Sequence, residues 1–201
     1  MKIVALSVQT YRSGQTENSV QLAAAYELSS FGYFTRSSVK EMCTFVSRTF
    51  LKRTPRGQRQ SVEHEEYIVH CYLRSDGLGA VCVSDREYPP RVAFTLINQL
   101  LEQFDSKHRN KWPTTVKDTA FSFPEIDKAI TEYQDPAKAD KITRIQKDLD
   151  DTMNIMHKTI DNVLERGVKL DTLVQKSDDL SMQSKAFYKT AKKHNSCCVI
   201  A

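Results

Sequence analysis

The amino-acid sequence predicts an α+β protein in two parts: an N-terminal domain whose antiparallel sheet is sandwiched by helices, followed by one long coiled-coil helix. Two observations lead to this prediction. Residues 1–133 alternate between short period-two runs, which favour strands, and apolar stripes at helical spacing. Between residues 142 and 194 apolar residues instead recur in alternating steps of three and four, with no proline, which is typical of a coiled-coil seam.

The strands of the N-terminal domain are predicted from runs of β-branched and aromatic residues. Residues 2–8 and 20–29 form a first pair on either side of a glycine-containing turn. Residues 66–74 and 78–84 flank a Ser-Asp-Gly sequence, which is a good signal for a β-hairpin. The pattern leaves open whether one more strand precedes this hairpin.

Three helices are expected to cover this sheet. The first begins at a capping box formed by Ser38 and Glu41 and continues with apolar residues at helical spacing. The second follows the prolines at 89–90 and has the most regular apolar stripe of the domain. A short third helix is predicted at 124–133, and the Asp-Pro pair at 135–136 separates it from the seam.

The seam is only weakly apolar and contains an arginine. Arg166 is the one strongly charged residue at an inward position, where a guanidinium is costly unless neighbouring helices supply acceptors such as glutamine carbonyls. Such a helix is marginal alone in water, so it needs partners to bury its stripe. The inward positions are Ile142, Ile145, Leu149, Thr152, Met156, Thr159, Val163, Arg166, Leu170, Leu173, Ser177, Leu180, Ser184, Phe187, Ala191 and His194.

The stretch around this arginine resembles the central layer of the R-SNAREs, the synaptobrevin-like membrane-fusion proteins. Residues 163–173 read Val-Leu-Glu-Arg-Gly-Val-Lys-Leu-Asp-Thr-Leu, and Leu180 and Phe187 follow at the expected positions. The resemblance implies that Arg166 meets glutamines from three Q-SNARE helices (Qa, Qb and Qc) in a parallel four-helix bundle, which a disassembly adaptor and its ATPase take apart. The alternative is an ordinary amphipathic helix whose arginine reaches solvent.

The C-terminal residues 197–201, Cys-Cys-Val-Ile-Ala, form a prenylation box. Its chemistry assigns a farnesyl group to Cys198 and places Cys197 for reversible palmitoylation, so prenyl- and palmitoyl-transferases are expected partners. The alternative is a pair of free thiols on a frayed end. No apolar run approaches the roughly 20 residues of a spanning helix, so we expect a lipid anchor on the cytosolic face of Golgi, ER, endosomal or vacuolar membranes, with a cytoplasmic pool.

Several classes of protein are disfavoured by composition. A net charge of +4, spread along the chain, leaves little electrostatic footprint for nucleic acid. The glycines are scattered rather than gathered in a phosphate-binding loop, and the Cys and His residues lack paired metal-ligand spacing. Without a cleavable signal sequence, Cys43, Cys71 and Cys82 are expected to be inert core thiols. We therefore expect no enzyme activity and no cofactor.

The order of elements in the N-terminal domain is similar to that of the longin domain, a profilin-like module of some R-SNAREs. The resulting interpretation is a longin domain at 1–133, an R-SNARE motif at 134–196 and a lipidated tail at 197–201. It implies fusion in vesicle transport, with the seam helix and lipid folded back onto the first helix and the adjoining edge strand, where Phe45 is the leading contact. By its helical spacing alone, Phe45 fits a plain core phenylalanine at least as well. The alternative function is a non-fusogenic, lipid-anchored tether or sorting adaptor.

Overall fold

The computed structural model describes residues 2–12, 14, 19–135, 154–164 and 167–197, without the side chains of residues 193–197. Within these ranges six strands form one sheet in the order β2-β1-β5-β4-β3-β6. Neighbouring strands are antiparallel except β3 and β6, which are parallel. The strands are β1 (Ile3–Thr10), β2 (Val20–Tyr26), β3 (Gln58–His64), β4 (Tyr67–Leu73), β5 (Leu78–Asp85) and β6 (Ile155–Thr159).

Helices cover both faces of the sheet. The predicted α+β class is confirmed, and the antiparallel part of the sheet, β1 to β5, belongs to the N-terminal domain. Two short 3-10 turns, Tyr33–Thr35 and Trp112–Thr114, precede α1 and follow α2. The helices of the described residues are α1 (Arg36–Lys52), α2 (Pro90–His108), α3 (Pro124–Glu132), α4 (Ile160–Val163), α5 (Leu170–Lys176) and α6 (Met182–Cys197).

The two faces of the sheet enclose separate apolar clusters. The first, which we call the α2-side core, joins the sheet to α2 and α3 and includes Phe94 and Phe104, both fully buried. The second, the α1-side core, joins the opposite face to α1 and includes Phe45 and Phe50. The sheet is therefore the middle layer of three, as helices on both faces of an antiparallel sheet require.

The hairpin between β4 and β5 forms where the Ser-Asp-Gly sequence predicts it. Gly77 has a φ of +94°, and an added Cβ would lie 2.9 Å from the carbonyl oxygen of Tyr11. Only glycine fits both the left-handed backbone and this close approach. The N–H of Tyr11 donates to the Gly77 carbonyl at 2.8 Å, so the turn is also tied to the end of β1.

The predicted capping box is wrong. The helix α1 begins at Arg36, so Ser38 lies in its first turn with a buried side chain. The chain enters α1 from a 3-10 turn in which Thr35 bonds to the Gly32 carbonyl, and this turn starts the helix early. Glu41 instead accepts a hydrogen bond from the backbone N–H of Ser181, far away in sequence.

The continuous seam helix predicted for residues 142–194 is also wrong for the isolated chain. Residues 154–197 form β6, α4, α5 and α6, apart from two residues outside the description. Between α4 and α5 the backbone turns at Gly167, whose φ is +88°. The physical reason is that a half-apolar stripe must bury its side chains somewhere, and without partner helices it packs against α1 and β3.

Candidate functional site

The site begins with the return of the C-terminal segment to the edge of the sheet. The strand β6 pairs with β3 in parallel, with Arg59 opposite Ile155 and Glu63 opposite Thr159. Because β3 is the last strand of the antiparallel part, β6 satisfies backbone groups that would otherwise face solvent. The edge strand β3 and the helix α1 of the N-terminal domain therefore both contact this C-terminal segment.

Apolar side chains of this segment complete the α1-side core. Five buried members of the α1-side core come from residues 160–192, and they pack with α1, β4 and β5. Val174 is fully buried, and Leu170 and Leu180 are 5% exposed. Phe45, at 6% exposure, belongs to the same cluster. The five residues from the segment are Leu164, Leu170, Val174, Leu180 and Tyr188.

Polar contacts fasten the segment to α1. The Arg48 guanidinium pairs with Asp118 of the loop before α3 and, at 3.1 Å, with Asp179 before α6. The Glu41 carboxylate accepts the Ser181 N–H at 2.9 Å, and this hydrogen bond lowers the pKa of Glu41. Arg48 and Glu41 both lie on the side of α1 that faces the segment.

A second polar group links α5 to α6. The Asp171 carboxylate pairs with Lys192 and accepts the Tyr188 hydroxyl at 2.8 Å. The ion-paired hydrogen bond from Lys192, followed by the bond from Tyr188, lowers the pKa of Asp171. At the other end of α6, the Ser181 side chain accepts the Ser184 N–H at 3.2 Å, as an N-cap does. The two helices are therefore held as a pair.

An apolar cavity of about 350 Å³ lies between α1, the sheet and α6. Its size is within the roughly 300–1,000 Å³ of small-ligand pockets. The lining from α1 includes Val39, Met42 and Val46, and α6 contributes Phe187 and Ala191. The surface is mostly apolar carbon, so the cavity suits a hydrocarbon rather than a polar metabolite.

The predicted seam positions are divided between this site and the undescribed residues. Leu170 and Leu180 are buried, while Val163, Leu173 and Phe187 pack at the boundary of the α1-side core and Met156 lies half-buried in β6. Ile142, Ile145, Leu149 and Arg166 lie outside the described residues, as does Cys198; Cys197 ends α6, without a described side chain.

Sequence reasoning missed three buried residues of the segment. Leu164, Val174 and Tyr188 each follow a predicted seam position and are more buried than it. At these three places the isolated chain buries the residue that follows the seam position, whereas Leu170, Leu180 and Ser184 are buried at seam positions themselves. The only available signal was that these positions are themselves apolar or aromatic.

The buried Cys and His residues do not form a reactive centre. Burial raises the pKa of the Cys43 thiol to about 12 and also raises that of Cys71. His70 is enclosed between the hydroxyls of Ser61 and Ser84, and burial lowers its pKa to about 3. In the part of the chain that the structure describes, no group of three or more His, Cys, Asp or Glu side chains is placed to hold a metal ion.

Comparison with known families assigns both parts of the chain. Residues 28–130 match Longin, a Regulated-SNARE-like domain, and residues 141–199 match Synaptobrevin. Within the described ranges, each helix is too short or too polar to cross a bilayer.

Similar proteins span the whole chain. A synaptobrevin homolog ykt6 of Schizosaccharomyces pombe is 52% identical over 181 residues, which are 90% of this chain and 91% of that protein. The VAMP-like protein YKT61 of Arabidopsis thaliana is 52% identical over 200 residues and all of both chains. The synaptobrevin homolog YKT6 of Saccharomyces cerevisiae is 46% identical over 195 residues, 96% of this chain and 97% of that one.

These matches agree with the observed fold and with the coiled-coil motif predicted from the sequence. Membership of this family implies SNARE partner helices and association with membranes. The matches also mean that the buried thiols and His70 belong to a non-enzymatic scaffold. The chain belongs to the longin-domain synaptobrevin family and is an R-SNARE of vesicle transport.

Proposed function

We propose that this R-SNARE drives membrane fusion through a parallel four-helix bundle with three Q-SNARE helices, and that its longin domain keeps the chain closed until the bundle assembles. In this proposal residues 1–133 are the inhibitory domain, 134–196 the bundle-forming motif and 197–201 the lipidated tail. Prenylation and reversible palmitoylation bring the chain to Golgi, ER, endosomal or vacuolar membranes, and the disassembly adaptor and ATPase recycle it.

The observation that carries the closed state is the position of Leu170 and Leu180. Both occupy inward positions of the predicted bundle, and both are buried in the α1-side core of the isolated chain. One side chain cannot fill both places, so the closed form and the bundle exclude each other. The population of the closed form then lowers the apparent affinity for Q-SNARE helices by the fraction that is open.

Two neighbouring residues of α5, one on the predicted seam and one outside it, permit a test that separates the closed form from the bundle. Val174 is fully buried in the closed form but lies outside the predicted seam, whereas its neighbour Leu173 lies on the seam and is half-buried. We expect Val174→Asp to open the chain, increase its hydrodynamic radius and speed assembly with Q-SNARE helices. Leu173→Asp weakens the bundle itself, so its assembly becomes less stable.

The matched control is Gln175→Asp, which places the same carboxylate on the exposed side of α5. It should leave both radius and assembly rate unchanged. Circular dichroism confirms that all three variants keep a folded longin domain. A folded Val174→Asp variant with the parent's radius and assembly rate would contradict the closed state.

The central layer distinguishes fusion from the tether alternative. Arg166→Gln should impair fusion of vesicles that carry three glutamine-bearing partners, and a Gln→Arg change in one partner should restore it. A tether has no use for this arginine, because a buried guanidinium is tolerated only where acceptors meet its donors. If Arg166→Leu fuses vesicles as well as the compensated pair does, the arginine layer is not functional.

The cavity supports a role in concealing the prenyl chain. An exposed farnesyl group would drive aggregation, whereas the apolar space beside α6 lies next to the helix that ends at Cys197. We expect prenylated Met42→Trp, which fills this space, to bind membranes more tightly than the prenylated parent, in which the cavity conceals the lipid for part of the time. Ser106→Trp, on the exposed side of α2 and away from the cavity, is the matched control.

The two cysteines of the tail have separate roles in this proposal. Cys198→Ser should abolish prenylation and leave the chain cytosolic, and Cys197→Ser should keep prenylation but bind membranes only transiently, since one lipid gives marginal binding. Mass spectrometry of the C-terminal peptide from a eukaryotic host checks both. An unmodified Cys198 in the parent chain would refute the lipid anchor.

A further inference from the structure

Two adjacent aromatic side chains project into solvent from the turn before α1. Tyr33 is 79% exposed and Phe34 is 86% exposed, with ring centroids 5.5 Å apart in an edge-to-face arrangement. The other large apolar side chains with such exposure in the described residues, Val116 and Met182, are far from each other in sequence. The pair is therefore a localised apolar patch rather than part of the ordinary scatter of surface residues.

The backbone that carries the pair is held in place by hydrogen bonds. The Phe31 N–H donates to the Leu28 carbonyl at 3.1 Å, and the Thr35 N–H donates to the Gly32 carbonyl at 2.9 Å. The Arg36 guanidinium donates to the Phe31 carbonyl at 3.2 Å. The rings are thus presented on an ordered turn, so binding through them requires little additional backbone ordering.

Two cationic side chains lie beside the pair. Residues 28–40 contain Arg36 and Lys40 and no Asp or Glu, and Glu41, which follows, is bonded to the Ser181 N–H of the docked segment. Arg36 donates to neutral carbonyl oxygens, and the Lys40 ammonium lies 5.2 Å from the centre of the Tyr26 ring, so neither of these contacts cancels the charge. Glu27 precedes the stretch; the Ser29 hydrogen bonds, and to a smaller extent the charges of Lys2 and Arg36, lower its pKa, so it offsets part of the Arg36 charge. Aromatic rings beside cations fit an anionic lipid surface.

The turn also lies beside the helix that leads to the lipid tail. Phe31 lines the apolar cavity together with Phe187 and Ala191 of α6. The same part of α6 has the exposed lysines Lys189 and Lys192, and the helix ends at Cys197. The aromatic pair and the tail therefore belong to neighbouring parts of the molecule.

We propose that the Tyr33–Phe34 turn inserts into the interface of an anionic bilayer as a second membrane contact beside the C-terminal lipid. This rests on the proposed lipid anchor, because a single prenyl chain binds membranes only marginally and gains from a second contact. Two aromatic side chains offer about 300–500 Å². That area is small beside the roughly 800 Å² per partner of a stable protein interface.

The test measures binding of the prenylated full chain to vesicles of phosphatidylcholine and phosphatidylserine. We expect Tyr33→Ser/Phe34→Ser to bind about tenfold more weakly than the parent, because the apolar area that enters the interface is lost. Val116→Ser, which removes an exposed apolar side chain elsewhere, should bind as the parent does. The hydrodynamic radius of each variant confirms that the closed form is unchanged.

The depth to which the Tyr33–Phe34 turn enters the bilayer is measured by the quenching of a Phe34→Trp fluorophore by brominated lipids. Quenching of the new tryptophan is expected, while the parent's Trp112, which is buried, should not be quenched. The same chain tethered by a C-terminal histidine tag to nickel-chelating lipid shows insertion independently of prenylation. If the tethered chain is quenched but the prenylated Val174→Asp chain, which is open, does not bind vesicles, the lipid anchor fails and the inserted turn stands.

Two results would overturn the proposal. One is parent-like vesicle binding by the double serine variant together with an unquenched Phe34→Trp. The other is a loss of Q-SNARE assembly by the double variant with vesicle binding intact, which would assign the pair to a protein partner.

Discussion

The α2-side core and the α1-side core use the same sheet but differ in where their residues come from. All buried members of the α2-side core lie within residues 3–133, and Phe94 and Phe104 are fully enclosed. The α1-side core takes five buried members from residues 160–192, and two of them, Leu170 and Leu180, are also required at inward positions of the proposed bundle. One face thus takes all its buried members from the longin domain, with only the half-buried Ile155 packed against it from the C-terminal segment. The other face is completed by a segment that, in the proposed function, leaves to form the bundle.

In the proposed function, this difference explains how the longin domain holds back its own bundle-forming motif without a dedicated inhibitory element. The edge strand β3 and the helix α1 bind the segment through backbone pairing, apolar burial and a few ion pairs. Regions that open for function are drawn from the less stable part of a structure. We therefore expect the two cores to respond differently to mutation and to acid.

The largest effect should come from the α2-side core. Phe94→Ala removes a fully buried ring and should lower the free energy of unfolding by about 3–5 kcal/mol. The whole longin domain should lose stability, as measured by thermal or denaturant unfolding. Phe34→Ala, at an 86% exposed phenylalanine, is the matched control and should change stability by less than about 0.5 kcal/mol.

A smaller and local effect is expected from the α1-side core. Leu180→Ala should destabilise the closed form by about 2–4 kcal/mol, because Leu180 is buried only while the segment is docked. Hydrogen exchange should accelerate in β6 and α6 but not in α2. Equal acceleration in α2 would show that the two cores open as one unit and would remove the distinction between them.

Acid should act on both cores through histidines. His70 touches Phe94 of the α2-side core, with ring centroids 5.5 Å apart, and burial lowers its pKa to about 3. The unfolded chain protonates below about pH 6.5 while the fold does not, so stability is full above that pH. It should then fall by about 1.4 kcal/mol per pH unit as the pH falls towards 3.

The counterpart on the other side is His64, which lines the cavity and whose pKa burial also lowers. Its effect has the same sign and should be smaller. Comparing denaturant unfolding from pH 7 to pH 4 for the parent, His70→Gln and His64→Gln checks both. A slope in His70→Gln as steep as the parent's would contradict this account.

The smallest effect should come from the ion pairs. Arg48→Ala removes the contacts to Asp118 and Asp179, both partly exposed carboxylates, and should favour opening by about 0.5–1 kcal/mol at low salt. The effect should shrink at high salt through screening. Arg109→Ala, which breaks an ion pair at the end of α2, should leave exchange of α6 unchanged. A salt-independent effect of Arg48→Ala would point to packing instead.

Much of the permanent architecture could be predicted from residue patterns. The hairpin between β4 and β5 follows from its turn sequence, and α2 follows from its prolines and apolar stripe, because both signals are local. The capping box failed because the chain was already helical at Arg36, after a 3-10 turn that Ser38 and Glu41 do not encode.

The sequence by itself determined that residues 142–194 carry a stripe that must be buried, and it marked Leu170 and Leu180 as inward positions. Only the tertiary structure decided that Ile155–Thr159 is a strand beside β3 and that Val174 is buried. The same residues suit a helix or a strand, because the free energy comes from the surface that covers them. Without partner helices, that surface is α1 and the edge of the sheet.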